Sequence, residues 1–558
     1  MALLVGGLAV QLAPVLLLPM VLTQDGPAHL DGAWVLLHHG DDGAVGAALR
    51  ANYAVDLSPV PNMLTTLLLA GLLRVVGPDS AEKAVVAGFV VLLVAGLRYA
   101  LRGVDPRAGW LAVAALPLAG GQLVAYGFYN FCWGIGLALV VVGLGLRRRN
   151  GWQARHTLAA AVLLALTWSA HLMPWAVAVL LLGALAAGRW LVAVRAGVRP
   201  WRAAAVHLLP PATALLPVIA LSVVYLSRGG GQQGAAAGWG PAGRIWWLLT
   251  LYRPLVVGSW WELVPAVGAA VVLWLLLVNA VRRRADPAGP PATSDLGPAT
   301  SDLGPATGDL GPATRRADRV VLGAATVVTA LAVLLVPWQL GPAYGFLPNR
   351  LSWFPPLFLV LFCATRPPRR VELQRAAAAV LVLCATAAAL VRLPTELADQ
   401  RLAAEQLSVA DLIPQGSTFA VLRFAGHQAA LAPLKGEADP LRHLSSRLAI
   451  EVGGVDVGHY EAIYPYFQVR FTDDGVRQAI DPGLDGLDAV PPWVHLGAAG
   501  DRLQYVLVVG LDRAEGWVRS AHRTAGVLAD LRASYVQVAQ SGPTGDVSVW
   551  RLQEATNG

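Results

Sequence analysis

Residues 23–34 read TQDGPAHLDGAW, and they close a run, residues 3–23, made mostly of Ala, Val, Leu and Pro. A hydrophobic segment of about 20 residues is long enough to cross a bilayer. The chain therefore places Asp25, His29 and Asp31 where it leaves the membrane. That reading decides the fold class, because the pattern recurs. Further apolar runs lie near 83–97, 109–125, 128–146, 156–170, 173–187, 203–226, 263–281, 320–337, 351–365 and 376–392, giving about 11 spans.

Composition agrees with this reading. Of 558 residues, 56% are hydrophobic and only 14% are charged, against roughly 25% charged in a soluble domain. Mean hydropathy is +0.55. The net charge of +7 does not point to nucleic acid, because the arginines flank apolar runs rather than forming an exposed stripe, as in Arg147-Arg148-Arg149 and Arg282-Arg283-Arg284. The three cysteines (Cys132, Cys363 and Cys384) all lie in apolar runs with no ligand spacing, and read as packing residues.

Arginine also sets orientation. The connections 98–108, 147–155, 188–202, 282–319 and 366–375 are Arg-rich and read as cytoplasmic; 24–82, 227–262 and 338–350 are long or aromatic and read as outer. This puts the N-terminus inside and the C-terminal part outside a plasma membrane. It also requires NMLTTLLLAGLLRVVG, residues 62–77, to lie on the outer surface as an interfacial helix. The alternative is that it spans and another segment does not.

Two domains are expected. Residues 1–392 form the transmembrane part, with 24–82 as a first outer loop. Within it, a seven-residue tandem repeat (PATSDLG PATSDLG PATGDLG) sits in a stretch, 285–318, expected to be a disordered cytoplasmic linker, because Pro and Gly recur too often for a helix. Residues 393–558 regain charge and show strand-like runs (STFAVLRF, YFQVRF, QYVLVVGL, SYVQVAQ and DVSVWRL) around a helical stretch, GWVRSAHRTAGVLADL. They read as an outer α/β domain large enough for its own core.

Ionisable groups at membrane depth are costly and usually functional. Asp25 is the leading candidate, as a base accepting a proton from a hydroxyl nucleophile. His29 follows at i+4, within reach if a helix starts near Pro27. The bland reading is that Asp25 only caps that helix. Asp31 reads as solvated surface. His38, His39, Asp41 and Asp42 are metal-ligand types without a strong spacing, which leaves a divalent metal (Mg or Mn) as a weak expectation. His171, Arg253, Glu262, Tyr344 and Arg350 lie on the other outer connections and are candidates for holding substrate or a lipid phosphate. For His171 the alternative is a packing histidine, and for Arg350 an interfacial cation with its head in water. Trp246, Trp247, Trp260, Trp261 and Trp338 read as an interfacial belt or as walls for sugar or isoprenoid. No GxxxxGK[ST], GxSxG or HExxH pattern occurs.

A first span, an acidic residue at its outer end, a long first outer loop, about ten further spans and an outer α/β domain together resemble the GT-C superfamily of integral membrane glycosyltransferases. That superfamily includes protein mannosyltransferases, aminoarabinose transferases and arabinosyltransferases. Its acidic motif falls here on Asp25 in QDGPAHL. Many members carry Asp-Glu at this place, whereas here Gly26 follows Asp25. The resemblance implies an inverting transfer of sugar from a polyprenyl-phosphate donor to an envelope glycan, lipid or protein at the outer membrane face. Asp25 would be the base, and Arg350, with Arg253, would hold the departing phosphate. The competing readings are a transporter or lipid flippase, and a non-catalytic scaffold of envelope assembly. A transporter should show interrupted paired helices and mid-span charge; a scaffold should show an outer pocket without a carboxylate.

Overall fold

The computed structural model describes all residues except 228–235, 238–240, 283–310, 341–344, 425–437, 482–485, 488, 515–520, 543 and 554–558. It is a polytopic helical protein with a C-terminal α/β domain. Among the described residues, seven helices are long and apolar enough to cross a membrane: Pro78–Val104, Tyr129–Arg147, Leu172–Arg195, Leu209–Ser227, Trp260–Arg282, Gly311–Leu335 and Val371–Leu412. The other runs read as spans are shorter or irregular. Ala2–Leu17 has 16 residues, and Phe354–Cys363 has ten.

Residues 109–125 differ most from expectation. A 3-10 helix, Pro106–Ala115, is followed by two four-residue helices, Leu116–Ala119 and Gln122–Ala125. Pro106, Pro117 and the Gly120-Gly121 pair interrupt any continuous helix. The stretch is apolar because it is buried among neighbouring helices, with Leu111, Ala112, Ala115 and Leu116 all fully covered. Helices Pro78–Val104 and Tyr129–Arg147 pack closely against each other. A Cβ on Gly143 would lie 3.0 Å from the Ala100 Cα, so small residues let these backbones approach.

The stretch 62–77 forms the helix Leu64–Leu73. Its ten residues rise only about 15 Å, half of a bilayer core, and it packs on Gly26–His38. The linker expected over 285–318 lies only partly within the described residues. Residues 283–310 lie outside the described residues, but Gly311–Leu335 is helical. Its start is compatible with Pro312 in a first turn, and Asp318 is drawn into the protein by two arginines.

The boundary at 392/393 also moves. Val371–Leu407 is one helix of 37 residues with Pro394 inside it, about 55 Å long at 1.5 Å per residue. It outruns a bilayer core of about 30 Å and carries the chain directly into the α/β domain. That domain holds a five-stranded sheet. In chain order the strands of the protein are β1 (Tyr53–Val55), β2 (Ala236–Ala237), β3 (Gln339–Leu340), β4 (Thr418–Arg423), β5 (Val455–Asp456), β6 (Val469–Phe471), β7 (Tyr505–Val509), β8 (Tyr535–Gln540) and β9 (Val547–Leu552). The sheet order is β5-β4-β7-β9-β8, with β4 parallel to β5 and β7, and β9 antiparallel to β7 and β8. The helix read over 516–531 appears as Ala521–Ser534; residues 515–520 lie outside the described residues.

The α/β domain does not close on itself. β1, from the first loop, pairs antiparallel with β6, Tyr53 opposite Phe471. Val35, Leu49 and Tyr53 belong to the same buried cluster as Val455, Val469 and Val506. The first loop thus completes the domain's core, and this brings TQDGPAHLDGAW against residues more than 400 positions away.

Candidate functional site: a carboxylate and a donor pair facing one cavity

Asp25 sits at the N-cap position of Gly26–His38, with Pro27 in the first turn. Its backbone carbonyl accepts from the Ala28 and His29 amides, at 3.1 Å each. Its carboxylate makes no capping hydrogen bond. Capping therefore does not account for the side chain, which turns into a cavity of about 370 Å³.

The backbone under Asp25 is firmly held. The Gln24 amide donates to the Ala125 carbonyl at 3.0 Å and the Asp25 amide to that of Tyr126 at 3.1 Å. Gly127 then passes with φ +76°, and a Cβ there would meet the Gly26 and Asp25 nitrogens at 2.6 and 2.8 Å. Only glycine allows both the left-handed backbone and that approach. Gly26 is equally confined, because a Cβ there would strike Thr23 Oγ1, the Tyr129 hydroxyl and Glu82 Oε1. The space that a glutamate at 26 would enter is filled by Glu82, which accepts from the Tyr129 hydroxyl at 2.7 Å.

Asp25 Oδ1 accepts from Gln24 Nε2 at 3.2 Å and faces His443 Nε2 at 3.7 Å. The Tyr460 hydroxyl also bonds to the carboxylate. Burial raises its pKa from an ordinary 3.8 to about 6, against the lowering effect of His29, the Gln24 hydrogen bond and Arg442. Burial, with Arg442 and Arg423 nearby, holds His443 well below the usual histidine range, so it meets Asp25 as a neutral ring.

His171 and Arg350 line the same cavity. His171 is the N-cap of Leu172–Arg195, and its Nδ1 accepts from the Met173 amide at 3.0 Å. A neutral imidazole carries one proton, so Nε2 bears it. That Nε2 lies 3.3 Å from Arg350 Nη1. Two donors thus face each other, and neither satisfies the other. The Arg350 guanidinium rests on Phe128 at 4.5 Å and forms no ion pair among the described residues; its Nε lacks a partner. An anionic oxygen between the two donors would satisfy both.

Other expected residues fall elsewhere. His29 lines the cavity, but its nitrogens are occupied: Nδ1 lies 2.5 Å from Glu461 Oε1 and the ring also bonds to the Gly127 carbonyl. It has no free lone pair with which to act as a base. Arg253 does not line the cavity; it stacks on Trp247 at 4.8 Å, and Gln122, with its amide oxygen facing the guanidinium, accepts from Nη1 at 2.6 Å. Glu262 is also outside it. Its carboxylate accepts from the Val257, Gly258 and Ser259 amides and from Arg392 Nε at 2.7 Å. The loop amides and the arginine consume it as a structural acceptor. Tyr344 lies outside the described residues.

The metal-type residues do not converge. His38 Nδ1 and Asp41 Oδ2 meet at 2.6 Å on the surface, His39 Nε2 bonds to the Tyr53 carbonyl at 2.9 Å, and Asp42 is exposed. Among the described residues, no group of three or more His, Cys, Asp or Glu side chains is placed to hold a metal. Trp338 lines the cavity, while Trp246, Trp260 and Trp261 are exposed, as an interfacial belt requires.

Asp31 reverses its sequence reading. It is 1% exposed and lies 3.3 Å from His459 Nδ1. The partners that sequence reading missed come mainly from VDVGHYEAIYPYF, residues 455–467, which supplies His459, Tyr460, Glu461 and Tyr466. The available signal was its density of acid, imidazole and phenol groups in an otherwise strand-like domain.

No family model matches this chain, and no curated protein matches it. Among solved structures it is similar to ArnT from Cupriavidus metallidurans bound to undecaprenyl phosphate, at 12% identity and TM-score 0.49, over 100% of this chain and 98% of that one. The apo state of the same protein gives 12% identity and TM-score 0.49, over 98% of this chain and 97% of that one. At that identity and score the likeness carries no weight for the chemistry of this chain, which rests on its own residues.

Proposed function

We propose that this chain is a membrane glycosyltransferase of GT-C type, moving a sugar from a polyprenyl-phosphate donor to an acceptor hydroxyl at the outer face of the plasma membrane, with inversion. The observation that carries this reading is that Asp25 and the His171–Arg350 donor pair line the same cavity. The carboxylate takes the proton from the acceptor oxygen. That oxygen attacks the anomeric carbon. The bond from that carbon to the phosphate oxygen breaks, and the leaving phosphate takes the electron pair. Arg350 and the His171 Nε2–H are placed to hold the charge that develops there. The scaffold reading expects a pocket without a carboxylate, and Asp25 lines this one.

The test uses purified protein with polyprenyl-phosphate-linked pentoses and hexoses, labelled in the sugar, and an envelope extract as acceptor. Asp25→Asn should remove transfer by roughly 10²–10⁴-fold, the range of general-base catalysis, while polyprenyl phosphate still binds. Full transfer by a folded Asp25→Asn protein overturns the assignment.

A further inference from the structure

Behind Asp25 lies a second set of buried groups that the proposed reaction does not use. Glu461 is 2% exposed, His459 is fully covered, and Asp31 and Asp456 are equally deep. They are carried by two segments distant in sequence, the helix Gly26–His38 and the stretch from the end of β5 into the loop before β6.

His29 is the hinge of this set. One ring nitrogen, Nδ1, lies 2.5 Å from the Glu461 carboxylate. The ring also bonds to the Gly127 carbonyl. Carboxylate and carbonyl oxygens only accept, so two acceptors ask for two protons, and a neutral imidazole has one. The ring is further fixed between Tyr129, 5.5 Å away, and Phe467, 6.3 Å away.

We infer that Glu461 is a positioning residue for the proposed transfer: its contact keeps His29 as a doubly donating imidazolium, and that cation keeps Asp25 a carboxylate facing the cavity. The inference rests on the glycosyltransferase reading for its consequence, but not for its geometry. The other groups facing His29 are Asp25, Glu82, Tyr129, His443 and His459. His443 and His459 are held low by burial. Asp31 is held well above the carboxylate range by burial and by Asp456 and Glu461, so it pairs with His459 as a neutral acid. On the C-terminal side, Glu461 is thus the counter-ion in direct contact with His29. Burial pulls the His29 pKa down, and Glu461, the Glu461 hydrogen bond and Asp25 more than offset it.

The two charges act on Asp25 with opposite sign: His29 lowers its pKa, and Glu461, the smaller influence, raises it. Glu461→Gln preserves shape and removes the charge. If Glu461 acts through His29, the ring becomes neutral and the acid limb of transfer moves to higher pH. If it acts only as a charge, the limb moves lower; if only by packing, it stays. Either of the last two results overturns the inference, and Glu461→Asp should restore the limb in part. A second measurement needs no turnover. In 15N-histidine-labelled protein in detergent at pH 7.5, with His29 assigned through His29→Gln, both His29 nitrogens should be protonated in the wild type and one in Glu461→Gln. A neutral His29 in the wild type overturns the inference even if the variant does not fold and no sugar transfer is found.

Discussion

Two buried ionic clusters of this protein differ in one respect that separates structure from function. At the helix ends away from the α/β domain, Asp318 is 2% exposed and is met by Arg189 Nε at 2.9 Å and Arg149 Nε at 2.7 Å. Arg189 Nη1 donates to the Gly145 carbonyl and Arg149 Nη2 to that of Val104. The carboxylate is saturated, because both its oxygens accept from guanidinium groups. At the cavity, Asp25 is buried and Arg350 half-buried, and among the described residues neither meets an opposite charge in direct contact. A saturated cluster pins three helices together. An unsaturated pair of opposite charges lining one cavity keeps binding capacity in reserve, at a cost in stability.

The largest expected effect tests the saturated side. Asp318→Asn leaves two guanidinium groups without their buried counter-charge and should cost about 3–5 kcal/mol, read as a lower unfolding temperature in detergent with turnover per folded molecule unchanged. A loss of turnover in protein that keeps its thermal stability would erase the distinction.

Next comes Asp25 as a stability liability. Its pKa rises from an ordinary 3.8 to about 6, so the folded state binds this proton more tightly than the unfolded chain does. The ionised side chain therefore costs stability above about pH 6, and the cost vanishes below about pH 4. Asp25→Asn should raise stability at pH 8 by on the order of 3 kcal/mol, from 1.36 kcal/mol per pK unit, while abolishing transfer. Thermal scans at pH 8 and pH 4.5 check this: the gain should shrink at the lower pH. An Asp25→Asn protein less stable than wild type at pH 8 would mean that the carboxylate is satisfied after all.

The smallest effect separates two arginines that look alike in sequence. Arg350→Gln should weaken polyprenyl-phosphate binding by roughly 10–100-fold, the worth of a charge-assisted hydrogen bond. Arg253→Gln, outside the cavity, should change it by less than about threefold. Titration of both variants with the lipid phosphate decides; equal losses would place Arg253 in the binding site and return the cavity assignment to question.

Sequence reading reached Asp25, His171 and Arg350 because each stands where an apolar run begins or ends, and a charge at that depth is visible without a structure. It missed Glu461, His443 and Tyr460 because no local periodicity ties them to residue 25; only the β1–β6 pairing and the shared core bring them there. It also read Asp31 as surface, since nothing in its neighbours reports that a domain from the far end of the chain covers it.

What the sequence by itself determined is the membrane-spanning helical class, four of the five strands of the C-terminal sheet (β4, β7, β8 and β9) and the acidic exit from the first apolar helix. These depend on hydropathy and short-range pattern, which are properties of neighbouring residues. The tertiary structure alone decided which ionisable groups are consumed and which are left facing a cavity. Glu262 and Arg253 read as further members of the site that holds Asp25 and Arg350, yet loop amides with Arg392 satisfy the first and Gln122 with Trp247 engages the second. Saturation of a charge is a count of partners in space, and partners more than a helix turn away leave no mark on local sequence.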